Sequence, residues 1–256
     1  MQDSESIARL GAGLLVVLAR VGAFFVFLPI PGARAFLEMP KVVVTLAVTF
    51  MLVRFWPVQV EMTASVSGMM AALGAEVSLG LAAGTGLALV VEAAQLAGQF
   101  IGLQAGFSYA STIDPASEAD SAILMIVWQL LTSFLIFGMG LDHQILAGLA
   151  GSFERIPAGT FHLTPGGAIE VLRIGSSMFQ IGLRLALPVV AVLLITDVSM
   201  ALLGKVEQHM QLSSLLFPLK TLVSLAILAT VIMSSARFLE QWLGNGWRAV
   251  QAAVGF

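Results

Sequence analysis

From Ile7 to Leu243 the chain is a succession of apolar blocks, most of them near or above the ~20 residues that cross a bilayer core. They run Ile7–Pro29, Val42–Trp56, Val66–Phe107, Ala122–Ala150, Ala168–Leu203 and Leu215–Leu243. The third is about twice a single span, so it is expected to be two crossings or one long hairpin. Helices are the expected form throughout, because isolated strands leave their backbone unsatisfied in lipid. Proline punctuates the blocks at Pro29, Pro31, Pro57, Pro115, Pro157 and Pro165. The expected fold is therefore all-α, with polytopic membrane-associated helical hairpins in a single membrane-embedded domain spanning 1–256.

Composition supports the bilayer as solvent. Only 11% of the 256 residues are charged against 58% hydrophobic, where a soluble domain carries about 25% charge. The net charge of -3 offers no basic face for nucleic acid. Cysteine is absent, which excludes disulfides, thiolate metal sites and Cys nucleophiles. Three His and one Tyr make an imidazole-rich metal site a poor expectation. Ala33-Arg34-Ala35 imitates a signal cleavage site, but Asp3 and Glu5 outweigh Arg9 ahead of the first block, and Arg20 interrupts it. That block is expected to be a retained helix.

Charges also fall inside the blocks: Arg20, Arg54, Glu76, Glu92, Asp142, His143, Arg184 and Asp197. An ionisable group at mid-membrane costs roughly 2.5–3.5 kcal/mol on insertion scales. Either these groups pair within the chain, or they line an aqueous path or a subunit seam. The basic loop residues Arg34, Lys41, Lys205, Lys220, Arg237 and Arg248 do not fall on one side of alternating crossings. Such a pattern suits helices delivered into an assembly by partner subunits.

Gly80 and Gly84 form one GxxxG, and Gly98, Gly102 and Gly106 form two more in register. Small residues at that spacing let helix backbones approach closely in lipid. The second set, expected to pack on another helix, leads into Gln104–Ser121, an acidic insert with Asp114, Glu118 and Asp120 and no Lys or Arg.

Enzymatic patterns are missing. No H-E-x-x-H or G-x-S-x-G occurs, and Gly204-Lys205 continues with Val206, not a Walker Ser or Thr. Asp142 and His143 are adjacent, about 100° apart on a helix, and are expected not to form a dyad. His162 and His209 read as loop residues. The chain is expected not to be an enzyme and to need no cofactor or metal.

Several stretches then fall into a familiar order. Pro29-Ile30-Pro31-Gly32 is followed by Pro40-Lys41, by Gly98-Gln99-Phe100-Ile101-Gly102-Leu103-Gln104-Ala105-Gly106-Phe107, and by Ile113-Asp114-Pro115. Asp142-His143, Ser152-Phe153-Glu154-Arg155-Ile156-Pro157, Ala186-Leu187-Pro188 and Phe217-Pro218-Leu219-Lys220 complete the series. In order and spacing this resembles the FliR family of flagellar export-gate proteins over nearly the whole chain. The Pro-Gln-x-Asn-like segment usual in that family is replaced by Gln208-His209-Met210-Gln211, and Leu216 stands where a glycine usually precedes the Phe. No role is carried onto those positions.

The resemblance implies a subunit of the type III export gate, assembled with FliP-like and FliQ-like subunits and adjoining an FlhB-like one. Its place would be the bacterial inner membrane in the flagellar basal body, beside the rod and hook-basal-body proteins. Unfolded export substrates would pass through the middle of an assembly raised largely out of the bilayer plane. By resemblance, 1–165 is FliP-like and 166–256 a FliQ-like hairpin, and the loop 104–121 helps plug the pore. The plug residues would be Gly106, Phe107, Ser108, Tyr109, Ile113, Asp114 and Pro115. Phe107, Tyr109 and Ile113 offer bulk to close a lumen by dewetting, and Asp114-Pro115 favours a turn. Pro188 is expected to kink its helix, and Phe217, Pro218 and Lys220 to contact a neighbouring subunit. A different reading is an autonomous proton-coupled transporter of a small solute, working through Glu76, Glu92, Asp142 or Asp197. It would favour paired inverted repeats, and no convincing pair is visible.

Overall fold

The computed structural model describes residues 2–27, 39–52, 66–106, 123–206 and 212–255, with side chains described for 11–27, 41–52, 66–106, 126–205, 219–220 and 222–255. These residues are helical apart from short turns, and no strand occurs among them. The helices are α1 (Gln2–Phe27), α2 (Met39–Met51), α3 (Val66–Ala105), α4 (Ile123–Gly138), α5 (Leu141–Arg155), α6 (Pro165–Val206) and α7 (Leu212–Val254).

Two expectations about helix breaks need correction. The third apolar block is neither a hairpin nor two crossings; α3 is one helix of 40 residues. Gly80 and Gly84, spaced four apart, fall on one face, where they let a neighbouring helix approach instead of turning the chain. The fourth block, expected to run unbroken, is bent by 69° between α4 and α5. The turn is Gly138-Met139-Gly140, with Gly140 at φ +64, a conformation that favours glycine. Elsewhere the punctuation acts as residue chemistry dictates. Pro165 opens α6 at a position where its missing N–H costs nothing, and the Gly167 N–H donates to Thr164 Oγ1 at 3.1 Å. Gly106, at φ +84, ends α3.

Among the described residues, three helices are long and apolar enough to cross a membrane: Val66–Ala105, Pro165–Lys205 and Leu222–Val254. The bent α4–α5 pair makes a fourth if it counts as one span. At 1.5 Å per residue the 40 residues of α3 measure about 60 Å, twice the ~30 Å bilayer core.

The chain divides into two compact units. One comprises residues 1–90, 140–175 and 244–256, and the other 91–139 and 176–243. In the first, α1 and α3 meet backbone to backbone. A Cβ on Gly80 would lie 2.3 Å from the Arg20 carbonyl oxygen, and one on Gly84 2.4 Å from that of Phe24. Partners four residues apart on both helices, in the same chain direction, mean that the two segments run parallel. Against the other side of α3, Gly86 faces Val250 and Gly246 faces Val90, an antiparallel contact in which each helix supplies one glycine.

That close approach brings Arg20 onto Glu76. Both are fully buried. Arg20 Nε donates to Glu76 Oε2 at 2.5 Å and Nη2 to Oε1 at 3.1 Å, a two-pronged bond. Nη1 donates to Ser152 Oγ at 3.0 Å, and Nη2 also to the Ile156 carbonyl at 3.1 Å. Glu76 Oε1 accepts the Gly159 N–H at 2.8 Å, and the guanidinium lies 4.0 Å over the Phe153 ring. One charge pair thus fastens α1, α3, α5 and the linker after α5. For Arg20 and Glu76 the question left open by the sequence is settled in favour of pairing within the chain.

The second unit packs around alanine. Ala94, Ala97, Ile101 and Ala105 of α3 lie in one buried cluster with Trp128 of α4, Ala186, Val189 and Leu193 of α6, and Leu228, Val231 and Leu239 of α7. Spacings of three and four along α3 put the small side chains on one stripe, and Gly182 of α6 adds a close approach, since a Cβ there would lie 3.1 Å from the Ala93 carbonyl oxygen.

Candidate functional site at the root of the acidic loop

Within the second unit a polar cluster stands where α3 hands over to the acidic loop. Gln104 is the penultimate residue of α3, and Asp197 lies nine residues before the end of α6. Gln104 Nε2 donates to Asp197 Oδ2 at 3.0 Å. Lys220, early in α7, brings Nζ to 2.5 Å from Asp197 Oδ1. The Asp197 side chain keeps 30% of its exposure and Lys220 16%, so the pair is partly solvated. Ile101 and Ala105 of α3, Leu193 of α6 and Val223 of α7 belong to the packed cluster. Each polar member is therefore within about one turn of an anchored apolar residue on its own helix. Apolar packing fixes three helix segments, and the polar atoms fix their register.

The cluster ties Gln104, near the C-terminal end of α3, to α6 and α7. Among the described residues there is no group of three His, Asp or Glu able to hold a metal.

The expected site residues are distributed as follows. Gly98 and Gly102 are buried on α3, and Gly106 ends it. Phe107, Ser108, Tyr109, Ile113, Asp114 and Pro115 lie outside the described residues. Pro188 is inside α6 and lines a groove against α7. Phe217 and Pro218 fall in the early turns of α7, their side chains outside the description. Lys220 meets Asp197, a link between residues that the sequence reading treated separately. Two charges at the ends of long apolar runs, each one turn from a packing residue, were the available signal for it.

Four further residues of the set of charges inside the apolar blocks find their places. His143 Nδ1 lies 3.1 Å from Asp142 Oδ1, a side-chain contact between neighbours at the start of a helix. The 100° between their Cβ directions is bridged by side-chain torsion in the first turn of α5, where His143 is 86% exposed. Asp142 there also complements the helix dipole. Glu92 accepts from Gln95 Nε2 at 3.3 Å. Arg184 lies over the Phe238 ring at 5.3 Å. Arg54 lies outside the described residues.

With this geometry in hand, likeness to known proteins becomes informative. The family described as bacterial export proteins, family 1, matches residues 12–246. The chain belongs to that family. This export protein is 28% identical over 229 residues to the flagellar biosynthetic protein FliR of Bacillus subtilis, covering 88% of the chain and 87% of that relative. Against FliR of Escherichia coli K12 the identity is 26% over 223 residues, covering 87% and 85%. Against FliR of Aquifex aeolicus it is 24% over 216 residues, covering 84% and 83%. The resemblance to FliR proteins read from short motifs thus holds along the chain.

Proposed function

We propose that this export protein is a non-enzymatic subunit of the flagellar type III protein export gate in the bacterial inner membrane. With FliP-like and FliQ-like subunits it forms the channel through which unfolded flagellar proteins leave, next to an FlhB-like subunit and the rod proteins of the basal body. Residues 1–165 act as the FliP-like part, and the α6–α7 hairpin as the FliQ-like part. The loop 104–121 helps to plug the closed pore, with Phe107, Tyr109 and Ile113 as its bulk. Its work is passive: helices shape a lumen, a loop closes it, and other components supply energy.

The observation that carries this reading is the family match across 12–246 together with FliR relatives covered over more than four-fifths of their own length. The loop root adds a physical argument. A plug has to be held at its base, and the Gln104–Asp197–Lys220 cluster offers that hold. A proton-coupled transporter would need carboxylates free to load protons, whereas Glu76 is enclosed by Arg20 and the Gly159 N–H and Asp197 is held by Lys220 and Gln104.

The test is purification of the tagged chain from membranes in mild detergent, with and without co-expressed FliP-like and FliQ-like subunits, sized by native mass spectrometry. The expected result is stable recovery only in a mixed complex. A stable lone chain whose proteoliposomes move a small solute would overturn the proposal.

A further inference from the structure

Between α6 and α7 of the second unit lies an open groove of about 490 Å³ with a change of polarity along its length. At one end stand Arg184, Ser234, Ser235 and Phe238, and at the other Val192 and Ile227, with Pro188 between. Arg184 is exposed and, among the described residues, has no carboxylate within ion-pairing distance. It sits at the start of an unbroken apolar run, Leu185 to Ile195. Arg237, next to the lining Phe238, is a second exposed cation at that end. The serine hydroxyls are engaged with their own helix: Ser234 donates to the Val231 carbonyl at 3.1 Å and Ser235 to that of Ile232 at 3.2 Å. The guanidinium of Arg184 is therefore the lining group with donors to spare.

We propose that this groove is a binding site for one anionic phospholipid of the surrounding bilayer, with the phosphate on Arg184 and an acyl chain laid along Pro188, Val192 and Ile227. Charge and polarity match along the whole groove: a cation suited to phosphate marks the edge of an apolar run, and an apolar floor follows it. From Ile227 to Phe238 the groove follows α7 for about 17 Å, an open trough whose length suits an extended acyl chain. A single flexible chain fits. Leu187, Leu194, Leu222 and Leu225, exposed on the same two helices, keep the groove's surroundings apolar. The inference needs only a membrane setting and stands apart from the export-gate reading.

The experiment uses the full-length chain in whatever assembly it is purified from membranes. The detergent-solubilised protein is titrated with phosphatidylglycerol or phosphatidylcholine, and retained lipids are counted by native mass spectrometry. The wild type is expected to retain one phosphatidylglycerol in preference to phosphatidylcholine. Arg184→Gln should weaken that retention roughly tenfold, the size of a lost charge-assisted bond, while Arg184→Lys restores most of it. Val192→Trp, filling the apolar end, should remove both lipids, and Arg248→Gln, at an exposed site in the other unit, should change neither. Because Arg184 is exposed, its variants keep the test valid if the tryptophan variant does not fold. Equal retention of phosphatidylglycerol by wild type and Arg184→Gln would overturn the proposal. So would equal retention of the two lipids by the wild type, or a protein segment in place of lipid when Val192 is photocrosslinked.

Discussion

Arg20–Glu76 in one compact unit and Lys220–Asp197 in the other each join helices distant in sequence, 56 and 23 positions apart, yet their settings differ. The first pair is completely buried, and Arg20 uses four donated hydrogen bonds and an aromatic face. The second has one amide neighbour and keeps contact with solvent on both sides. Glycines press α1 onto α3 around the first pair, whereas an alanine stripe packs the helices around the second. A sealed pair defines a fold, because losing one partner strands a charge in a low dielectric. A partly wet pair can exchange its partners for water, so it holds a segment in place at small cost. The wet pair is the one at the C-terminal end of α3, where the acidic loop begins.

The largest effect expected from this contrast is at Glu76. Glu76→Ala should destabilise the protein by about 3–5 kcal/mol, read as a fall in thermal stability in detergent or as loss of the protein from membranes. A wild-type melting temperature would break the comparison. Next is Gly84→Ala, whose Cβ would meet the Phe24 carbonyl oxygen. Overpacking against backbone should cost about 1–3 kcal/mol, and Gly74→Ala, with nothing near its Cβ, should cost nothing in the same assay. Smaller still is Asp197→Asn, expected to lower stability by about 1 kcal/mol or less. Its stronger signature should be faster proteolysis within the loop after Gln104, which an unchanged cleavage rate would refute. At the bottom of the scale, Glu170→Gln removes an exposed i, i+3 partner of Arg173 and should shift stability by only about 0.3 kcal/mol.

Much of this architecture was legible from the residues. Low charge and repeated apolar blocks required membrane helices, and Pro157 and Pro165 marked boundaries that the structure keeps. What escaped was long-range or depended on geometry. Arg20 and Glu76 stood out as misplaced charges, but only the approach of α1 to α3 at Gly80 and Gly84 makes them a pair. The Gly80/Gly84 motif looked no stronger than the Gly98/Gly102/Gly106 series, since spacing alone does not say which small face meets a backbone. Length made the third block resemble two crossings or a hairpin, because an apolar run of about two bilayer spans can equally be one long helix. The reverse error occurred at Gly138-Met139-Gly140, where two glycines in an apolar block did form a turn. Lys220 was singled out with the Phe-Pro-Leu-Lys element, and its meeting with Asp197 depended on how α6 and α7 align. The loop's own residues, Phe107 to Ser121, were distinctive in sequence and lie outside the described residues.

The proposal rests most directly on that loop closing a pore. The decisive measurement is ion permeability of membranes containing the chain co-expressed with its FliP-like and FliQ-like partners, before and after deletion of residues 107–121, with recovery of the complex checked in parallel. A complex that still assembles but leaks ions is the predicted result. An assembled complex as tight without the loop as with it would contradict the account.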